Sequence, residues 1–333
     1  MNIDFVILWV DGNDPKWRKE KNKYETKDIN ENNSENRYRD WNLLPYWFRA
    51  VEKFTPFVNK IHFVTWGHVP PFLNINNPKL NIVNHQDFIP EEYLPTFSSH
   101  AIEMNIHRIP DLADYFVYFN DDMFILRPFT KEMFFKDGLP CTYGGEVPME
   151  LVGNIGTWQH AAVNDLGIVN AHFSKRESVK KYRKKYINKC YRWQDNIRTL
   201  MLEKLHPDYF TGFKNIHAPG AYLKTSFKEI WDCEYDKLNT TCLDKFRTSD
   251  NVNQWVVLWW QVASGNFSPA IIDNVVDSVN EKNITDLCSI IKNQSHDYIC
   301  LNDPEDDIDF ELLSKRLHDA FETILPDKSS FEK

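Results

Sequence analysis

The run Tyr115-Phe-Val-Tyr-Phe-Asn-Asp-Asp-Met123 decides the fold that we predict for this chain. Its first five residues are aromatic or β-branched and apolar, which is typical of a short strand buried on both faces. The strand ends abruptly in Asn120, Asp121 and Asp122, and ligands bind at the carboxyl ends of the strands in open α/β sheets. Adjacent carboxylates repel each other, so one pKa rises unless a cation lies between them. The pair therefore indicates a metal site or a general base, and the alternative is a solvated turn after the strand.

Strand and helix patterns alternate around this run. Apolar runs predict strands at residues 3–10, 61–66, 80–83 and 115–119, and apolar residues at helical spacing predict helices at 41–54 and 98–108. This alternation predicts an α/β fold with a Rossmann-like, mostly parallel sheet flanked by helices. Further helices are predicted at 174–205, 224–231, 251–263 and 310–324, whereas the polar residues 16–40 are predicted to form a mobile loop.

Length and composition limit the class of protein. The 333 residues suggest one large domain, or one domain with an insertion. No apolar stretch approaches the length of a membrane span, and no basic leader precedes the first apolar run, so we expect a cytoplasmic protein. The six cysteines lack the paired spacing of a zinc site and are expected to be reduced thiols.

The charge of the chain is uneven. Residues 175–198 contain ten Lys and Arg residues against Glu177 and Asp195, a local charge of about +8, which leaves about −17 for the rest of a chain whose net charge is −9. A basic segment on an acidic protein indicates a local anionic partner and argues against general nucleic-acid binding. Two interpretations stay open: a solvated helix with aromatic anchors on its inner face, or a peripheral contact with an anionic membrane or polymer.

Three other motifs place polar side chains beside turns or apolar runs. Asp11 and Gly12 end the first predicted strand, and the alternative is a simple turn that lacks the spaced glycines of a dinucleotide loop. His217 lies in a loop bounded by Pro and Gly, and Arg247 precedes an apolar helix, where it could clamp a phosphate. Each of these could also be an ordinary surface residue.

A fourth motif, Asn302 and Asp303, again follows a short apolar run. Taken together, the motifs resemble the Stealth family of sugar-phosphate transferases, which includes bacterial capsular polysaccharide phosphotransferases and the animal enzyme that puts GlcNAc-1-phosphate on lysosomal glycoproteins. The resemblance is carried, in chain order, by Ile3-Asp-Phe-Val-Ile-Leu-Trp-Val-Asp-Gly-Asn-Asp-Pro15, Arg37-Tyr-Arg-Asp-Trp-Asn-Leu-Leu44, Val64-Thr-Trp-Gly67, Phe119-Asn-Asp-Asp122, Ile216-His-Ala-Pro219, Phe246-Arg247 and Ile299-Cys-Leu-Asn-Asp303.

The resemblance implies an architecture and a set of roles. It implies one catalytic domain with a GT-A-like sheet, built from blocks at about 1–15, 37–145, 210–265 and 296–330, with 150–205 as a helical insertion or a subdomain facing the acceptor or a membrane. The implied catalytic residues are Asp121, Asp122, His217 and Arg247, and the implied substrate-binding residues are Asp11, Gly12, Arg39, Asn120, Asn302 and Asp303. Asp121 and Asp122 are also the expected ligands of a divalent cation, Mg²⁺ or Mn²⁺.

The implied reaction is the transfer of a sugar 1-phosphate from a UDP-sugar, such as UDP-GlcNAc or another UDP-hexose, to a hydroxyl of a growing oligosaccharide or polysaccharide. The hydroxyl attacks the phosphorus next to the sugar, UMP leaves, and either His217 or Asp122 takes the proton. Two alternatives stay open: a glycosyltransferase that attacks the anomeric carbon and releases UDP, and a glycan-binding protein without activity. If the basic segment contacts a membrane, the expected location is the inner face of the cytoplasmic membrane.

Overall fold

A computed structural model describes residues 1–25, 40–153, 155–214, 216–304 and 308–333. Short strands recur along the chain: β1 (Ile3–Leu8), β2 (Ile61–Thr65), β3 (Leu80–Asn84), β4 (Tyr115–Phe119), β5 (Met123–Ile125), β6 (Phe135–Lys136), β7 (Leu139–Thr142), β8 (Gly220–Leu223), β9 (Ser268–Pro269), β10 (Asn274–Ser278) and β11 (Tyr298–Asn302).

Helices lie between these strands and make up most of the middle of the chain. They are α1 (Pro15–Lys21), α2 (Leu44–Phe54), α3 (Ser99–Asn105), α4 (Lys131–Phe134), α5 (Thr157–His172), α6 (Lys175–Tyr186), α7 (Trp193–Leu205), α8 (Lys224–Cys233), α9 (Tyr235–Leu243), α10 (Trp255–Ala263), α11 (Ile284–Asn293) and α12 (Phe310–Ile324). In the ranges that the structure describes, no helix is both long enough and apolar enough to cross a membrane.

The central sheet has the strand order β3-β2-β1-β4-β8. β1 to β4 run parallel, and β8 pairs antiparallel with β4 at one edge. The prediction of a mostly parallel, Rossmann-like sheet flanked by helices is therefore confirmed, with β8 as an antiparallel strand that the sequence did not predict. The direction of winding changes between β1 and β4, and a crevice opens at the carboxyl ends of strands at such a point.

Both faces of the sheet are covered. Ile3, Phe5 and Ile7 of β1 lie in one buried cluster with residues of α2, α11 and α12, whereas Val6 lies in a second cluster with residues of α5, α8 and α10. A strand buried on both faces has no polar side to alternate with, which is why its sequence is a continuous apolar run. The prediction that the Tyr115–Phe119 strand is buried on both faces is confirmed, because Val117 lies in the first cluster and Phe116 in the second. Every residue of α10 is buried as well.

A second sheet lies next to the site described below. Its order is β10-β11-β5, with β11 parallel to β10 and antiparallel to β5. Cys300 of β11 is opposite Met123 of β5, and the Leu301 N–H donates to the Asp122 carbonyl at 3.0 Å. The backbone at Asp122 is therefore held between the end of the central sheet and this second sheet. A third, smaller sheet has the order β6-β7-β9.

The prediction of a mobile loop over residues 16–40 is wrong for its first part. Asp14 caps α1 by accepting hydrogen bonds from the N–H groups of Lys16 and Trp17, and Pro15 occupies the first turn, where its missing N–H costs nothing. Trp17 is buried and packs edge-on against Phe97. A cap and one large anchor therefore suffice for a helix in a polar segment. Residues 26–39, including Arg39, lie outside the described residues.

Several other predicted helices differ in their bounds: the segment predicted at 174–205 is two helices, α6 and α7, and the helix predicted at 41–54 begins at Leu44. The predicted helix at 251–263 begins only at Trp255, because the Asn251 side chain accepts from the Thr248 N–H and the Asn253 side chain accepts from the Trp255 N–H, which stabilises turns before the helix. The predicted helix at 98–108 is α3 followed by a 3₁₀ turn, and the Ser98 side chain makes no capping hydrogen bond. All six cysteines are free thiols, as expected.

Candidate active site

The candidate site lies at the carboxyl edge of the central sheet, where the winding changes. Asp11 follows β1, and Asn120, Asp121 and Asp122 follow β4, the strand that pairs with β1 on one side. Because neighbouring parallel strands end at the same edge, two segments more than a hundred residues apart in sequence converge there. β8 runs the opposite way, so its beginning, with the preceding His217 loop, reaches the same edge.

Asp121 is a carboxyl group of the candidate site whose ionisation is strongly disturbed. Solvent reaches the residue from one side, but protein atoms crowd around its carboxyl group and reduce its hydration. This loss of hydration, together with the negative charges of Asp122, Asp40 and Asp303, raises the pKa of Asp121 to about 8. The pKa of Asp40 is raised as well, first by burial and then by the charge of Asp11. Several carboxylates therefore share one crevice, and close to neutral pH Asp121 keeps a proton that an isolated aspartate would lose.

Asp122 and His217 face each other. The Asp122 Oδ2 atom lies 3.6 Å from His217 Nε2, and each side chain is a little more than one quarter exposed. The His217 carbonyl accepts from the Asn274 side chain at 3.3 Å, which ties the loop to β10. The distance suits an ion pair, and closure of a few tenths of an ångström would make it a hydrogen bond. An imidazole beside a carboxylate can take a proton from a substrate and keep the resulting charge stabilised.

Cys300 completes a group of three side chains. The ligand atoms of Asp122, His217 and Cys300 all lie within 4.8 Å of one another. Burial and the neighbouring negative charge of Asp122 raise the pKa of the Cys300 thiol well above its ordinary value, so it stays protonated. A neutral thiol is a weak metal ligand and a weak nucleophile, so we assign no chemistry to it.

The donor atoms at Asp121 and Asp122 fit a divalent cation. Within the described part of the chain, the Asp122 Oδ1 atom is buried and has no hydrogen-bond partner. Buried polar atoms are rarely left unpaired, and the raised pKa of Asp121 indicates that the negative charge of the neighbouring carboxylates lacks compensation. Mg²⁺ and Mn²⁺ prefer carboxylate oxygen to sulfur. The two aspartates therefore suit these ions better than the group that contains Cys300.

The Asp11 loop is held by a histidine that the sequence analysis missed. His68 Nε2 accepts from the Asp11 N–H at 2.8 Å, and its Nδ1–H donates to Asp14 Oδ2 at 3.1 Å. The two contacts fix one neutral tautomer and connect the loop after β2 to the loop after β1. Gly12 is buried, and its carbonyl accepts from the Arg18 side chain at 2.5 Å. The available signal was position, because His68 directly follows the motif Val64-Thr-Trp-Gly67.

Arg247 is connected to the candidate site indirectly, through other side chains. Its guanidinium donates to Ser99 Oγ at 2.6 Å, one helical turn before the buried Glu103. Burial raises the pKa of Glu103, and the Arg247 charge opposes that rise. The Tyr118 hydroxyl lies 3.2 Å from Glu103 Oε1 and donates to Asn120 Oδ1 at 2.6 Å. This network orients Asn120, and the sequence analysis had assigned no role to Glu103 or Tyr118.

Asn302 and Asp303 lie at the end of β11. Asp303 accepts from the Trp41 indole N–H at 3.0 Å, and its charge contributes to the raised pKa of Asp121, so it borders the same crevice. Asn302 Oδ1 accepts from the Cys300 thiol at 3.4 Å. The structure therefore brings Asp11, Asp121, Asp122, His217 and Asp303 to one edge. It connects Arg247 to that edge indirectly and does not describe Arg39.

The basic segment uses several of its charges within the fold. Lys175 pairs with Glu146 at 2.6 Å, with both side chains buried, and Lys185 donates to two backbone carbonyls after α10. Tyr186 and Tyr191 are buried anchors, whereas Trp193 is exposed. The interpretation of a helix with buried aromatic anchors thus holds for part of the segment only. Because some lysines are used within the fold, the positive charge available to a partner is smaller than the local charge of about +8.

Fold and site together define an α/β protein with an acidic candidate site at the switch point of a mostly parallel sheet. Sequence models of Stealth protein conserved regions 1, 2 and 4 match residues 1–28, 37–141 and 289–333. The capsular polysaccharide phosphotransferase WcwK of Streptococcus pneumoniae is 40% identical over 99% of this chain and 98% of its own length. The chain belongs to the Stealth family and is a transferase enzyme, so the predicted family is confirmed.

Other relatives are similar over their full length. The receptor polysaccharide phosphotransferase WefC of Streptococcus gordonii is 37% identical over 99% of this chain and 98% of its own, and the exopolysaccharide phosphotransferase cps2G of Lactiplantibacillus plantarum is 34% identical over 100% and 96%. Among solved structures, the galactosyltransferase LgtC in complex with donor and acceptor sugar analogs matches 96% of both chains at 10% identity, with a TM-score of 0.38.

Proposed function

We propose that this enzyme transfers a sugar 1-phosphate from a UDP-sugar, such as UDP-GlcNAc or another UDP-hexose, to a hydroxyl of a capsular or other cell-surface polysaccharide. The family supports the class of reaction, because the full-length relatives are named as polysaccharide phosphotransferases. The observation that carries the proposal is the Asp122–His217 pair, 3.6 Å apart at the switch point of the sheet. A proton acceptor at a ligand-binding edge is what an attacking hydroxyl requires.

In the proposed mechanism His217 accepts the proton of the acceptor hydroxyl. The hydroxyl oxygen forms a bond to the phosphorus next to the sugar, the bond from that phosphorus to the UMP oxygen breaks, and UMP leaves with the electron pair. Asp122 orients the imidazole and stabilises the imidazolium that forms, which makes it a partner of His217 rather than its competitor. Most of the rate in such a reaction comes from positioning and from neutralising charge on the phosphate oxygens.

The donor phosphates need positive charge from their surroundings. A divalent cation held by Asp121 and Asp122 would neutralise charge on the diphosphate when bound. We propose that Asp11, Gly12, Asn120, Asn302 and Asp303 bind the donor around this point, together with Arg39. Arg247, the candidate for contacting a phosphate, would have to exchange its contact with Ser99 for the donor.

The test is a reaction with a panel of UDP-sugars and an oligosaccharide primer, followed by identification of both products. We expect UMP as the released nucleotide and a phosphodiester signal in the phosphorus NMR spectrum of the glycan. Release of UDP without a diester would instead establish a glycosyltransferase. Binding of glycan without any turnover of any donor would establish a binding protein.

We propose further that the enzyme meets its acceptor at a membrane surface, as a growing polysaccharide attached to a lipid would require. The exposed lysines of α6 support this proposal, because a cationic surface on an acidic protein attracts anionic lipid.

A further inference from the structure

Helix α7 turns its apolar side to the solvent and part of its polar side to the protein, the opposite of what is usual for a surface helix. Its apolar side chains point outward, with Trp193 68%, Ile197 45%, Met201 57% and Leu205 65% exposed. They recur at spacings of four residues, so at about 100° per residue they form one stripe along the helix. A helix packed on a protein normally turns such a stripe towards the core. This stripe, which also includes Leu200, is available to a partner.

The polar side of α7 explains why the helix cannot turn over. Asp195 and Thr199 are buried, and Thr199 Oγ1 accepts from the Glu146 N–H at 3.1 Å. Asp195 pairs with Arg192 and with Arg198, the second contact being 3.0 Å long. Rotation of the helix to hide the apolar stripe would break these contacts and leave the buried Glu146 N–H without its partner. The orientation is therefore fixed by the polar side.

Cations lie within and beside the apolar stripe. Lys204 lies within the stripe and also lines a cavity of about 490 Å³ between α6 and α7, whose other basic residues include Arg176, Lys180 and Arg183. Arg176 and Arg183 pair with Asp208 and Glu203. Among the residues described, Lys180 and Lys204 have no ion-pair partner, and Lys181 and Lys184 add exposed charge on α6. An apolar stripe with lysines along its border is the pattern of a helix that lies in a membrane interface.

We propose that α7 lies in the interface of an anionic lipid bilayer, with its stripe in the acyl region and the lysines of α6 and α7 at the phosphates. The inference deepens the proposed function, since it names the surface at which the acceptor would be met. A second copy of the chain is a less suitable partner for the stripe, because a twofold interface would bring the same lysines of both copies face to face. Lipid phosphates neutralise those lysines instead, and Trp193 at one end of the stripe suits the headgroup level.

The test is co-sedimentation of the full chain with vesicles of phosphatidylcholine alone, or with 30 mol% phosphatidylglycerol. We expect binding to the anionic vesicles, weakened by salt, and at least tenfold weaker binding to the neutral ones. A stripe variant, Trp193→Ser/Met201→Gln/Leu205→Gln, and a charge variant, Lys180→Gln/Lys181→Gln/Lys184→Gln, should each weaken binding at least tenfold. Matched controls are Ile75→Ser/Ile271→Ser and Lys228→Gln/Lys282→Gln/Lys292→Gln, whose side chains are exposed elsewhere.

The outcomes separate this inference from the proposed reaction. Both surface variants should transfer to a short water-soluble primer at the wild-type rate, because the changed residues lie outside the candidate site. Failure of the proposed reaction would leave the vesicle result intact. The membrane inference is overturned if the wild type ignores anionic vesicles, if the stripe variant binds them as the wild type does, or if light scattering shows a dimer that the stripe variant dissociates.

Discussion

At the scale of single residues, the pair of His217 and Asp122 gives the most direct test of the mechanism. We expect His217→Ala and Asp122→Asn each to lower turnover by about two to four orders of magnitude, as is typical when an acid–base group is removed. Because the two act as one unit, the double variant should be little worse than either single one. The measurement is initial rate with saturating donor and primer.

Matched changes away from the crevice serve as controls for that series. His160→Ala and Asp232→Asn alter the same residue types at positions outside the candidate site. They should keep wild-type turnover. Multiplicative losses in the double variant would show that His217 and Asp122 act independently, and the assignment of Asp122 as the orienting partner would then be wrong.

Because of Asp121, the folded protein should become less stable as the pH rises from about 4 to about 8. An unfolded aspartate ionises near pH 4, whereas the folded protein holds this proton to about pH 8 because burial and neighbouring carboxylates raise the Asp121 pKa. Between those values the unfolded state binds fewer protons, so the contribution of Asp121 to stability falls as the pH rises. Asp121→Asn should therefore melt at a higher temperature than the wild type at pH 8 without divalent cations, although it loses activity.

The pH series supplies the control for that variant. The difference in melting temperature should shrink towards pH 4, where Asp121 is neutral in both states. Asp232→Asn, in an exposed position, should show no such pattern. An Asp121→Asn protein that melts at or below the wild-type temperature at pH 8 would mean that Asp121 is not held protonated in the fold.

A variant of Cys300 distinguishes a metal site made of carboxylate oxygens from one that includes the thiol. If the cation is hard and held by carboxylate oxygens, Cys300→Ala should keep turnover within about tenfold and leave the affinity for Mn²⁺ unchanged, since a protonated thiol contributes no ligand. Mn²⁺ titration followed by electron paramagnetic resonance measures this, with Asp122→Asn as the variant that should lose affinity. A large loss of Mn²⁺ affinity in Cys300→Ala would place the cation at the thiol.

At the scale of secondary-structure elements, one buried ion pair holds α6 against the segment that precedes α5. Lys175 and Glu146 are both almost completely buried and 2.6 Å apart, and Glu146 also accepts from the Thr211 N–H at 2.7 Å. Lys175→Met should cost about 3–5 kcal/mol, because it leaves a buried carboxylate without its partner. Urea unfolding measures the loss.

A second substitution distinguishes that explanation from loss of packing. Lys175→Met/Glu146→Gln removes both charges and should be more stable than Lys175→Met alone. Lys180→Met, on the exposed side of the same helix, should change stability by less than about 0.5 kcal/mol. If Lys175→Met behaves like Lys180→Met, the ion pair does not hold α6.

The sequence was most informative about elements that are buried on both faces and about the residues that end them. The apolar runs located β1 to β4, and the polar residues after β1, β4 and β11 marked the edge where the crevice lies. α1 was missed because it has few apolar residues, so it shows no helical pattern, and it is stabilised by the cap at Asp14. β8 was missed because a strand of four residues that begins with Gly220 has too short an apolar pattern to be recognised.

Residues that act through distant contacts could not be found in this way. His68 positions the Asp11 loop across 57 residues of sequence, and Glu103 influences Asn120 only through Tyr118. No local pattern records such contacts, since each depends on how the sheet brings segments together. The direction of the apolar stripe on α7 was equally hidden, because a helical pattern does not say which side faces the protein.

At the scale of the whole molecule, the sheet explains how a site can be assembled from residues 11 to 303. Parallel strands end at one edge, β8 returns to that edge in the opposite direction, and the second sheet fixes Asp122 against β11. Packing like charges together is costly for the fold, so the site is held by the rigidity of the surrounding sheets. The repulsion among the carboxylates of the site should therefore affect how the stability of the whole protein depends on pH.

Titratable groups throughout the interior push the stability maximum to mildly acidic pH. Burial raises the pKa of Asp40, Glu103 and Asp165, so ionisation of these groups in the unfolded state lowers stability as the pH rises. Burial also lowers the pKa of His107 to about 3, so below about pH 6.5 the unfolded state binds a proton that the folded state refuses, and stability falls as the pH falls. The buried carboxyl groups lower stability at higher pH and His107 lowers it at lower pH, so we expect the stability of the folded protein to be greatest at about pH 5–7.

Thermal unfolding without divalent cations, measured from pH 4 to 9, should therefore show a melting temperature that declines above pH 7. His107→Phe, which keeps an aromatic ring stacked on Phe227, should flatten the acidic side of the profile while leaving the decline above pH 7 in place. Excess Mg²⁺ or Mn²⁺ should raise the melting temperature most at the alkaline end, where Asp121 is free to bind it. A melting temperature that rises steadily from pH 6 to 9 without cations would show that the buried carboxyls do not govern the stability of the molecule.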